Sequence, residues 1–180
     1  MTFSTQTVFP YLIDYLNRND GMTNDLFELL LLYINHGNDF LAKDVHSITK
    51  FFLDIFKFSL DEIGKYESSF ILGCGLIQIF LQKINFIPFN FVKDIISYSI
   101  FMLNSITIDL PSQDDNKKYF SLHKINALIA IIFSGMLNYP SFVINILIEK
   151  NEMINFILWN DIILKSRFAY PYIIKVNLKI

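Results

Sequence analysis

FLAKDVHSITKFFLDIFKFSLDEIGKYESSFILGCGLIQIFLQK, residues 40–83, decides the fold class. From Phe40 the apolar positions Leu41, Val45, Ile48, Phe52 and Ile55 step by four, three, four and three residues. Lys43, Asp44, His46, Ser47, Lys50 and Asp54 fill the opposite side. That stepping is the period of an amphipathic helix, and it runs over a window too long for a strand, although isoleucine and phenylalanine favour strands locally. Ser59 and Asp61 make a short break, after which Ile63, Tyr66, Phe70, Cys74, Ile77 and Leu81 resume the same spacing. Gly73 and Gly75 cost helix propensity, so they are read as a packing notch that lets a neighbouring helix approach.

The block at 88–137 repeats this plan. Pro88 opens a helix at about 89–108 with Val92, Ile95, Met102 and Ile106 inward. Residues 109–118 form the one sustained polar loop. The next helix, about 119–137, is apolar nearly all round between Ile125 and Phe133, which marks it as central. Upstream, a short helical turn at Phe9–Asn17 stops at Asn19-Asp20-Gly21. A second helix, capped by Thr23 or Asn24, is expected to hold Asp25 and Glu28 in its first turn, where the helix dipole favours them, and to end at His36-Gly37-Asn38. Downstream, Asn138-Tyr139-Pro140-Ser141 is a break, followed by helices at about 141–150 and 152–165 and a last one from about 169.

The expected fold is therefore all-α: a single α-solenoid segment over 1–180 with helical hairpins at about 5–37, 40–83, 88–137 and 140–165. Units of about 45–50 residues lie near the roughly 40–47 of HEAT and armadillo hairpins. Neither end has the polar face of a capping repeat, so the expectation is a piece of a longer array.

Composition narrows the function classes. The 180 residues are 53% hydrophobic and 18% charged, against roughly 45–50% and 25% in an ordinary globular chain. The 29 isoleucines and 16 asparagines beside only four alanines are also what AT-rich codons produce, which discounts part of that hydrophobicity. A formal charge of −2 and no basic run longer than Lys117-Lys118 argue against nucleic acid as a partner. The single Cys74 excludes an internal disulfide and a cysteine-based zinc site, and no signal peptide is evident at the N-terminus. Mean hydropathy is +0.39, but the apolar runs 68–81, 95–110 and 125–148 are short or interrupted by polar residues. They suit buried core helices, and no membrane partner is expected; a small polytopic membrane protein stays as an alternative.

No constellation carries catalysis. His36 lies in a turn, His46 on a polar helix face and His123 near a helix start, none at metal-ligand spacing from a partner. Asp114 and Asp115 sit in the polar loop, and Cys74 and Trp159 are read as core. There is no Walker lysine and no nucleophile elbow. The chain is expected to be non-enzymatic, with no catalytic residue, metal site or cofactor.

The order of local motifs resembles one family. Gly73-Cys74-Gly75-Leu76-Ile77 precedes Ile87-Pro88-Phe89 and Phe91-Val92; Ala127 and Ala130 follow, then Asn138-Tyr139-Pro140, Ile144-Asn145-Ile146-Leu147, and Phe156-Ile157 before Trp159-Asn160-Asp161. This succession, over residues 62–165, resembles late HEAT repeats of importin-β-superfamily nuclear transport receptors (karyopherins), in the branch of importin-seven and importin-eight. The segment around Trp159 is shorter than the family's, and Arg167-Phe168-Ala169-Tyr170-Pro171 replaces its charged turn. The resemblance implies nuclear import of protein cargo, contact with phenylalanine–glycine nucleoporin repeats, and residence in nucleus, cytoplasm and nuclear pore. It places binding of the Ran GTPase in an N-terminal part outside these residues. A general α-solenoid scaffold in a stable complex is the alternative.

Overall fold

The computed structural model describes residues 24–36, 49–55, 67–84, 86–106, 115–153 and 155–157, and singly 11, 12, 14, 15, 18 and 161. Among the described residues every regular element is helical and no strand occurs, so the chain is all-α as its periodicity implies. The elements are α1 (Asn24–His36), α2 (Glu67–Lys83), α3 (Phe89–Ser105), α4 (Asp115–Asn138) and α5 (Pro140–Glu149). Residues 49–55 are also helical. The expected break at Ser59 and Asp61, the sites of His46 and Trp159, and the last helix from 169 lie outside the described residues. The chain divides into two compact units, Met1–Ile95 and Ile96–Ile180, with the boundary inside α3.

In the first unit, α1 buries Leu26, Leu30 and Ile34, one stripe at four-residue spacing, and packs against α2. Asp25 stands in the first turn, where the helix dipole favours a carboxylate, Glu28 lies beyond that turn rather than in it, and His36 is in the last turn. In α2 the inward positions Phe70, Cys74, Ile77 and Leu81 are all buried, as their stepping requires. Phe52 and Ile55 of the preceding helical segment are fully enclosed. The Phe52 ring stacks on Phe80 of α2 at 4.3 Å between centroids and 26° between planes, a geometry that adds about 0.5–1.5 kcal/mol to the area buried. The helical residues near the N-terminus carry an Asp14–Arg18 ion pair of 2.7 Å at (i, i+4) spacing, exposed and worth only a few tenths of a kcal/mol.

Pro88 stands one position before α3, and its carbonyl accepts from Phe91 and Val92 N–H at 3.0 and 3.3 Å. Val92, Ile95 and Met102 are buried and Ile106 is half-buried.

In the second unit, every residue from 124 to 135 of α4 is buried. This is the all-round apolar stretch expected to be central. The helix starts at Asp115, four residues before the expected Tyr119, so part of the polar run is its first turn. An acidic residue at a helix start is favoured by the dipole, and the Lys117-Lys118 pair has good helix propensity.

The α4–α5 corner is one residue wide. Tyr139 donates its N–H to Gly135 O at 2.8 Å and accepts from Val143 N–H at 3.0 Å, closing one helix and opening the next. Pro140 forces the break. It has no N–H to continue α4, and its ring pushes the preceding residue off the α region, which leaves Tyr139 at φ −133°. At the far end, α5 closes on Asn151 in the left-handed region, φ 55°. Glu152 N–H reaches Leu147 O at 2.8 Å and Asn151 N–H reaches Ile148 O at 3.0 Å, the paired bonds of a Schellman motif.

Candidate functional site

Among the described residues, no group of three histidine, cysteine or acidic side chains is placed to hold a metal ion. Of the residues singled out from sequence, His36 is exposed at the end of α1 and His123 is half-buried in α4. Cys74 is a fully buried thiol, placed among the core side chains as a small apolar residue would be. Asp115 is the first residue of α4, while Asp114 lies outside the described residues.

The packing notch read at Gly73 and Gly75 is partly corrected. Phe27 of α1 does lie over Gly75, but a Cβ there would stand 3.7 Å from its Cε2, ordinary contact that does not demand glycine. The tight approach is at Gly135 on α4. A Cβ there would meet Ile96 Cδ1 at 3.0 Å and Val143 Cγ2 at 3.3 Å. Side chains of α3 and α5 thus fill the space that a side chain at Gly135 would take.

One cleft of the second unit has a polar rim. Ile100, Leu103, Ile132, Leu147 and Phe156 form its apolar wall, and Asn104, Glu152 and Asn155 its mouth. The Phe133 and Phe156 rings meet at 5.3 Å and 55°. Glu152 joins the mouth: its Oε1 accepts from Asn104 Nδ2 at 2.8 Å and its Oε2 from Asn155 Nδ2 at 2.9 Å. The carboxylate thus holds the end of α3 against the helical turn that follows α5, whose first bond runs from Phe156 N–H to Glu152 O at 2.8 Å. The cavity volume is about 10 Å³, room for roughly one water molecule and far below the roughly 300–1,000 Å³ of small-molecule sites. Its chemistry is that of a clamp between helices. The sequence places the helix break between 150 and 152, as observed, and gives no sign only of the bond from Asn104 to Glu152.

The exposed apolar side chains are the other candidate surface. On α1, Leu29 and Leu32 are exposed, three residues apart. On α5, which buries Val143, Ile146 and Leu147, the outward Ile144 and Ile148 lie four apart. Phe101 on α3 is 64% exposed and stacks with Tyr98 at 6.1 Å. Helices α1 and α5 thus carry apolar side chains on more than the face they bury.

No protein-family model, no curated protein and no solved structure matches the chain. The resemblance to nuclear transport receptors therefore rests on the order of its own motifs.

Proposed function

We propose that this chain is a protein-binding scaffold built from HEAT-like helical hairpins, a segment of a karyopherin acting in nucleocytoplasmic protein transport. The observation that carries the scaffold part is the set of helices that bury one apolar face and expose further apolar side chains, Leu29 and Leu32 on α1 and Ile144 and Ile148 on α5. Stacked hairpins put such side chains either under the next hairpin or in the groove that receives a partner. The motif succession from Gly73-Cys74-Gly75 to Trp159-Asn160-Asp161 supports the transport part. No described helix is long and apolar enough to cross a membrane.

In this mechanism the segment contributes surface and curvature to a receptor that wraps protein cargo and touches nucleoporin repeats. Release by Ran-GTP belongs to the receptor as a whole.

The test is capture of the 180-residue chain, shown helical by circular dichroism, on immobilised phenylalanine–glycine nucleoporin repeats and, separately, on GTP-loaded Ran. Binding to the repeats without binding to Ran is the expected result. A helical chain that ignores the repeats would remove the transport reading and leave a general α-solenoid scaffold in a stable complex.

A further inference from the structure

No further inference is drawn: the strongest candidate, the outward stripe of Ile144 and Ile148 on α5 with Ile157 beyond it, is an apolar face for which nothing in the structure shows what covers it.

Discussion

Helices α4 and α5 are separated by a single residue, Tyr139, yet they are buried in opposite ways. Residues 124–135 of α4 are covered on every side, although Lys124, Asn126 and Ser134 are among them. Helix α5 is almost wholly apolar in its interior, yet it covers Val143, Ile146 and Leu147 and leaves Ile144 and Ile148 exposed. Apolar content alone therefore does not set burial. Within its buried stretch α4 carries the small residues Ala127, Ala130 and Gly135, and at Gly135 flanking side chains stand where a Cβ would be crowded. Ser134 is satisfied within the helix itself, its Oγ donating to Ala130 O at 2.8 Å.

The strongest test of that contrast is a charge in the middle of α4. Ile132 has no exposure and lines the wall of the cleft. Ile132→Asp puts a carboxylate where none of those apolar neighbours can pair with it, and such a burial costs several kcal/mol, about the whole stability of a domain. Loss of soluble, cooperatively melting protein is expected. A variant that melts like the parent would show that α4 is not central.

A milder pair compares the two helices with one chemistry. Ile132→Ala should cost about 2–5 kcal/mol, the range for deleting a buried aliphatic side chain. Ile148, 56% exposed, should lose no more than about 0.5 kcal/mol on the same change. Urea denaturation midpoints measure both. Equal losses would mean that the outer face of α5 is covered in solution, and the contrast would collapse.

Both tests concern features that the amino-acid pattern itself makes legible. The unbroken run Ile125–Phe133 announces a helix buried all round, and the stepping Phe70, Cys74, Ile77, Leu81 names one buried face of α2. Other features are not legible in it. The tight glycine is Gly135 and not Gly75, because the need for glycine depends on which helix crosses at that point, and local spacing carries no such information. The Asn104–Glu152 bond joins residues 48 positions apart and is invisible for the same reason. The start of α4 is hidden by composition, since Asp115-Asn116-Lys117-Lys118 reads equally well as loop or as a solvated first turn. At Glu152 only the Asn155 contact, at helical i, i+3 spacing, could be anticipated from the sequence.

The stop of α5 provides a smaller effect. At φ 55°, Asn151 occupies the left-handed region that asparagine tolerates and alanine does not. Asn151→Ala should cost about 1–2 kcal/mol and lower Tm by a few degrees. Asn151→Gly, free of the Cβ penalty, should melt at or slightly above the parent temperature. If the two variants melt alike, the left-handed turn is not fixed in solution, and α5 has no defined end from which Glu152 could reach Asn104.

The smallest effects come from the two glycines, where the sign of the change is the measurement. Alanine is favoured over glycine inside a helix by about 1 kcal/mol. At Gly75 the new methyl would rest 3.7 Å from Phe27 Cε2 and 3.9 Å from Cζ, so the propensity gain is kept and Gly75→Ala should stabilise by about 0.5–1 kcal/mol. At Gly135 the methyl would stand 3.0 Å from Ile96 Cδ1 and 3.3 Å from Val143 Cγ2. The end of the isoleucine can rotate aside. The valine cannot, because a β-branched side chain on a helix keeps essentially one rotamer. The overlap is relieved only if α5 shifts away from α4, and overpacking of this kind typically costs about 1–3 kcal/mol, enough to cancel or outweigh the propensity gain. Gly135→Ala should therefore be neutral to destabilising while Gly75→Ala raises Tm. A clear rise in both would mean that the helices around α4 pack with room to spare.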